Sequence, residues 1–135
     1  MQVLDTTLAR MGKDFNHTIS TYVSADEKFR RKYLLDVNPW AYFRDQGPGD
    51  NIIDARWIDM TNGLYIDITA LSLLHPKELP DTLECKNWHQ YRTAEIYPLR
   101  ESKFEAVPVL IPYKYQEILL DEYSTAVLSR TNYRK

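Results

Sequence analysis

The chain has 135 residues, 44% apolar and 27% charged, a mixture that excludes a disordered, collagen-like or coiled-coil polypeptide and fits one domain around a single core. Seventeen Lys and Arg against nineteen Asp and Glu give a net charge of -2, which removes the long-range electrostatic case for binding DNA or RNA. The single cysteine, Cys85, excludes an intrachain disulfide and a zinc site built on paired cysteines.

The opening Met1-Gln2-Val3-Leu4-Asp5 has neither the basic segment nor the apolar run of a secretory signal. Asp5 is placed to cap a helix in which Leu8, Met11 and Phe15 recur at helical spacing, so residues 6–16 are predicted as one amphipathic helix, weakened by Gly12. Thr18 to Val23 is β-branched and aromatic. The charged run Asp26 to Lys32 after it has the composition of a solvated connection. Tyr33-Leu34-Leu35-Asp36-Val37 predicts a short buried strand, stopped by Asn38-Pro39 because the residue before proline is driven out of the helical region. Residues 44–51 hold two of the four glycines and predict a loop.

The best-determined unit is a hairpin. Asp54 to Met60 and Tyr65 to Leu71 are β-prone, and Asn62-Gly63 between them supplies the positive φ values that a two-residue type I′ turn requires. In that register Ile58 faces Asp67 and Arg56 faces Thr69, which leaves Arg56 diagonal to Asp67. Asp54, Arg56, Ile58, Met60, Tyr65, Asp67 and Thr69 share one face, while the more apolar set Ala55, Trp57, Asp59, Ile66, Ile68 and Ala70 faces the core. The apolar stretch Leu64 to Leu74 carries Asp67 in its middle and is far shorter than the roughly 20 residues a membrane-spanning helix needs.

Prolines exclude regular structure from His75 to Pro80. Leu83 to Tyr97 interleaves Lys86, His89 and Arg92 with Trp88, Tyr91 and Tyr97, the composition of a loop that either attracts a phosphate, with Arg100 joining it, or is simply solvated. His89 has no second histidine or cysteine at ligand spacing and makes no metal site by itself. Phe104 to Ile111 reads as a short hairpin or kinked strand, with Pro108 restricting it to an edge or bend. Pro112 suits the first turn of a helix whose stripe Tyr115, Ile118, Leu119 and Tyr123, continued by Val127, is expected to pack on the sheet. The fold class expected is α+β.

At Asp54-Ala55-Arg56-Trp57-Ile58-Asp59 and Gly63-Leu64-Tyr65-Ile66-Asp67-Ile68-Thr69 the sequence resembles the LicD and fukutin-related family, and within it the fungal proteins that regulate mannosylphosphate transfer to cell-wall mannoproteins. Tyr33 to Pro39, Cys85 to Arg92, Tyr97 to Ser102 and the stretch from Phe104-Glu105 to Asp121-Glu122-Tyr123 extend the resemblance in the family's order. The resemblance implies a nucleotidyltransferase-like mixed sheet flanked by helices. It implies transfer of a phosphate-bearing group, phosphocholine or a sugar phosphate, from a nucleotide-linked donor to a glycan acceptor, with Mg²⁺ or Mn²⁺ held by carboxylates against the donor phosphates. Asp67 matches the third of those carboxylates and is the catalytic and metal-ligand candidate. Arg56 either steers the donor phosphates or neutralises Asp67, and Lys86, His89 and Arg100 are the further substrate-binding candidates.

The resemblance also implies an acidic cluster just before the segment matching Met1 to Asp5. The expectation is therefore a single LicD-like domain over residues 1–135 that lacks the acidic-cluster portion, with an unpaired sheet edge near its N-terminus, either a transferase domain or a non-catalytic binding or regulatory module. Relatives are anchored in the secretory pathway. Ala106 stands where the family has glycine, in a turn whose positive φ strains alanine.

Overall fold

A computed structural model describes residues 2–44, 51–104 and 106–124, so the loop expected over 44–51 lies almost wholly outside the described residues, as does Val127. The fold is α+β. The chain divides into two compact units, residues 1–74 with 84–89, and residues 75–83 with 90–135.

The first unit is built on five strands and one helix: β1 (Gln2–Leu4), α1 (Asp5–Phe15), β2 (Ile19–Val23), β3 (Arg30–Val37), β4 (Ala55–Asp59) and β5 (Tyr65–Leu71). The sheet order is β1-β5-β4-β3-β2, with β1 parallel to β5 at one edge and the other neighbours antiparallel. The helix forms where the Leu8/Met11 spacing predicts it, but Asp5 lies inside its first turn rather than capping it from outside: its carboxylate accepts the adjacent Thr6 amide at 2.6 Å and sits at the positive end of the helix dipole. Leu8, the helix's one buried residue, joins Leu35, Val37, Ala41, Ala55, Ile68 and Ala70 in the core cluster, with Met11 and Trp57 packed against it. Burying one leucine contributes on the order of 2 kcal/mol, so Leu8 is the principal anchor of the helix. Trp57 also stacks on Tyr33, with ring centroids 5.6 Å apart.

Because α1 covers only one face of the sheet, the opposite face meets water, and the alternation of the strands decides what it displays. The predicted core side is correct for Ala55, Ile68 and Ala70, whereas Ile66 is exposed.

Two features of this unit differ from the sequence reading. The strand β3 begins at Arg30, inside the charged run expected to be a connection, because Arg31 is drawn to the Asp59 carboxylate. The hairpin register is Ala55↔Ile68, Arg56↔Asp67, Trp57↔Ile66 and Ile58↔Tyr65, two residues from the register predicted. The cause is the turn. Asp59 closes a four-residue loop by accepting the Gly63 amide at 2.8 Å on its carbonyl and the Thr61 amide at 2.8 Å on its carboxylate. Only Gly63, at φ 75, takes a positive φ there. A two-residue shift preserves the faces but sets Arg56 directly opposite Asp67.

The second unit contains β7 (Gln90–Arg92), which pairs with β6 (Thr82–Glu84), then α2 (Thr93–Ile96), β8 (Arg100–Phe104), β9 (Val107–Ile111) and α3 (Tyr115–Tyr123). Of the two readings around Pro108, short hairpin or kinked strand, the structure has the hairpin, which starts earlier, at Arg100, with Pro108 opposite Lys103 and Ala106 in its turn at φ 68. Helix α3 starts three residues after Pro112 and buries none of its residues. Its N-terminal approach is tied to α2 by Tyr113 N–H to the Ile96 carbonyl at 3.0 Å and Lys114 N–H to the Glu95 carbonyl at 2.9 Å, and Tyr91 donates its hydroxyl proton to Glu122. No helix among the described residues is long and apolar enough to cross a membrane.

Candidate functional site

The solvent face of the first unit's sheet carries a row of ionisable side chains. Strand pairing places Asp36 opposite Arg56 and Arg56 opposite Asp67, so a guanidinium sits between two carboxylates on three adjacent strands. The β2–β3 register extends the row: His17, two residues before β2, lies 3.2 Å from the Asp36 carboxylate through Nε2. Arg56 Nε donates to Asp67 Oδ1 at 2.9 Å, and its guanidinium lies 4.7 Å from the centre of the Tyr65 ring. The bond to Asp67 holds Arg56 above its ordinary pKa against slight desolvation, with the negative charges of Asp67 and Asp36 adding to it. The Asp67 and Arg56 side chains are 41% and 46% exposed, so the pair is reachable from solvent and screened by it.

A depression of about 320 Å³ lies beside the row, lined by Asp36, Asn38, Pro39, Ile53, Ala55 and Arg56, at the lower end of the size of small-molecule sites. Its rim is rigid. Asn38 Nδ2 donates to Asn51 Oδ1 at 2.7 Å and to the Ile53 carbonyl at 3.0 Å, and its Oδ1 accepts the Trp40 amide at 2.9 Å. The ionic groups of the depression are thus Asp36 and Arg56, one acceptor and one planar donor. Nε of Arg56 is one of five N–H donors of a fork that matches the geometry of carboxylate and phosphate.

The remaining sequence candidates are placed differently. Lys86 is drawn inward: its side chain is 0% exposed, with Nζ 2.9 Å from Asp54 Oδ1 and 3.1 Å from the Trp40 carbonyl. Asp54, expected on the solvent face beside Arg56, is fully buried. It accepts Arg44 Nη1 on both oxygens at 3.1 Å and the Ala70 amide at 2.7 Å, while Arg44 reaches Ser72 Oγ at 3.1 Å and the Ala70 carbonyl at 2.7 Å. This cluster ties the segments before β4, after β5 and around Lys86 together, which accounts for the basic residue at position 86 without a ligand. His89 is exposed, with Nδ1 3.6 Å from the sulfur of buried Cys85. Arg92 and Arg100 belong to the second unit. There Arg100 lies 5.6 Å from the Tyr115 ring centre in a depression of about 430 Å³ that Tyr113 and Lys114 also line.

Asp36, His17 and Arg44 are the participants the sequence reading missed. Asp36 was legible in principle, since Leu35 and Val37 point inward and the residue between them must point out. His17 and Arg44 are fixed only by tertiary register.

A divalent cation does not fit the donor set of this row. Mg²⁺ and Mn²⁺ take about six oxygen ligands, Asp67 is already engaged by a guanidinium that repels a cation, and no group of three or more His, Cys, Asp or Glu gathers in metal-binding geometry among the described residues.

Two yeast proteins resemble part of the chain. Mannosyltransferase regulator 4 of Saccharomyces cerevisiae is 54% identical over 41 residues, 30% of this chain and 4% of that protein. Mannosyltransferase regulator 14 of the same organism is 50% identical over 42 residues, 31% of this chain and 4% of that protein. The matched stretch therefore spans only a small part of each relative. No family model and no solved structure matches the chain.

Proposed function

We propose that this chain serves the phosphate-linked modification of glycans, of the mannosylphosphate type, as a LicD-like binding or regulatory module in which Arg56 contacts the phosphate of a mannose-bearing donor. The local likeness to two mannosyltransferase regulators supplies the glycan context. The observation that carries the site is the Asp36–Arg56–Asp67 row, which presents an oriented, solvent-accessible guanidinium at the rim of a ligand-sized depression. A phosphate at Arg56 replaces a carboxylate partner with a more highly charged one. The regulatory form of the proposal takes its support from the two relatives, both of which are mannosyltransferase regulators.

The transferase form has one observation in its support: Asp67 lies in the centre of β5, in the Ile66-Asp67-Ile68 sequence, directly beside an arginine. Calorimetric or NMR titration of the purified chain with mannose 1-phosphate tests the proposal. Arg56→Ala is expected to weaken binding by about 10-fold, the value of one charge-assisted contact. Equal affinity of the two proteins overturns it. Release of nucleoside phosphate from a nucleotide-linked mannose in the presence of Mn²⁺ replaces the regulatory form with the transferase.

A further inference from the structure

The turn from Cys85 to His89 holds residue 88 in place through its own hydrogen bonds, and the residue it holds there is an indole that packing does not cover. Trp88 has φ 65, in the left-handed region that a bulky L-residue rarely occupies. It is 76% exposed, so the ring recovers little by burying apolar surface. The backbone beneath it is fixed. Cys85 N–H donates to the His89 carbonyl and Trp88 N–H to the Cys85 carbonyl, both at 3.1 Å, Cys85 is buried, and Lys86 is drawn into the interior by Asp54 and the Trp40 carbonyl. The turn thus holds a flat apolar plate in water.

Three ligand classes stack on an exposed indole. Nucleic acid needs a cation for its phosphates, and the turn's own lysine is committed to Asp54 in a chain of net charge -2. A quaternary ammonium is held by several aromatic faces or a carboxylate. The turn contains no acidic residue, and the close ring pairs among the described residues do not include Trp88. A pyranose needs one ring for its C–H face and neutral hydrogen-bonding groups for its hydroxyls. Asn87 and His89, both exposed, flank Trp88 on the same turn.

We propose that Trp88 is the stacking platform of a glycan-binding site, with Asn87 and His89 meeting the sugar hydroxyls, and that its ligand is a neutral mannose oligosaccharide. The choice of mannose rests on the glycan reading above, and the site uses residues other than the Arg56–Asp67 pair. The indole Nε1–H NMR signals and tryptophan fluorescence of the whole chain report the titration with a short α-linked mannose oligosaccharide. Trp88→Ala is expected to weaken binding by at least about 10-fold with an unchanged circular dichroism spectrum, while Trp88→Phe, which keeps a ring, stays within about 3-fold. Equal binding by the wild type and Trp88→Ala, absence of oligosaccharide binding to the wild type, or tighter binding of choline than of the oligosaccharide at Trp88 overturns the proposal. Loss of the oligosaccharide interaction alone, with Arg56-dependent binding of mannose 1-phosphate intact, removes the Trp88 site and leaves the proposed function standing. Failure of the phosphate with Trp88-dependent oligosaccharide binding does the reverse.

Discussion

Arg44 with Asp54, and Arg56 with Asp67, are the same two side-chain types brought together around one strand, yet their surroundings assign them opposite tasks. Asp54 is fully buried and accepts from a guanidinium, an ammonium and a backbone amide. Asp67 and Arg56 are each more than two-fifths exposed, on the face that α1 leaves open. A third pair, Arg31 with Asp59, is intermediate, with the aspartate side chain 9% exposed and the arginine 30%. The difference teaches that charge content does not locate function in this sheet. Desolvation does: a buried pair must keep its partners, because losing one leaves a charge without water, whereas an exposed pair can exchange a partner for a ligand at little cost.

The sharpest break of that comparison is Asp54→Ala. It strands Arg44 and Lys86 without their shared acceptor and leaves the Ala70 amide unanswered, and removal of one partner of a buried ion pair costs about 3–5 kcal/mol. Urea unfolding followed by circular dichroism is expected to show that loss, or a chain that no longer folds. A loss below about 1 kcal/mol would make Asp54 no more structural than a surface aspartate. Lys86→Met comes next. It keeps the stem's packing while Asp54 retains Arg44 and the Ala70 amide, so about 1–3 kcal/mol is expected, the range for removing one partner of a buried polar group. The same variant should bind mannose 1-phosphate as the parent does; weakened binding by a folded Lys86→Met protein would return Lys86 to the ligand side.

The intermediate pair is read most cleanly through pH. Burial pushes the Asp59 carboxyl up, but the Thr61 amide and Arg31 more than offset it, and the group lies below its ordinary value. A carboxylate depressed in the folded state stabilises fully above its unfolded pKa, about 3.9, and loses that contribution as pH falls through the folded value. The stability difference between the wild type and Asp59→Asn should therefore be constant above about pH 5 and shrink below about pH 4. A difference that grows on acidification would reverse the sign and sink the assignment.

How much of this was legible in the chain follows from the range of the interactions. The helix at Asp5–Phe15 was readable because its signals are local, an acidic residue in the first turn and two apolar residues a turn apart. The hairpin was readable from Asn62-Gly63, and so were the faces of its strands, but its register was not. The register depends on Asp59 accepting the Thr61 and Gly63 amides, a side-chain and backbone closure that turn statistics do not weigh. Ala106 shows the converse, since the turn's positive φ was inferred from the residue type expected there and is present at φ 68. At the candidate site, Arg56 and Asp67 were legible as neighbours because they lie on one hairpin. Asp54 was assigned to the wrong side and Lys86 to a ligand loop, because the contacts that bury them join residues 10 to 46 positions apart.

The smallest expected effect on stability belongs to Arg56→Ala, and its smallness is what the comparison requires. Both side chains are well exposed, and exposed ion pairs contribute about 0.2–1 kcal/mol, so the variant should unfold within about 1 kcal/mol of the parent. The Tyr65 ring under the guanidinium adds a cation–π contact of about 0.5–1 kcal/mol at such a site, and its loss falls within the same bound. A double-mutant cycle with Asp67→Asn separates the pair from each residue's own contribution. If the coupling matches the exposed range and 0.5 M salt removes most of it, Arg56 is held loosely enough to trade Asp67 for a phosphate. If it instead reaches the several kcal/mol of a desolvated pair and resists salt, Arg56 is as structural as Arg44, the two halves of the comparison collapse into one, and the sheet's open face loses its candidate ligand contact.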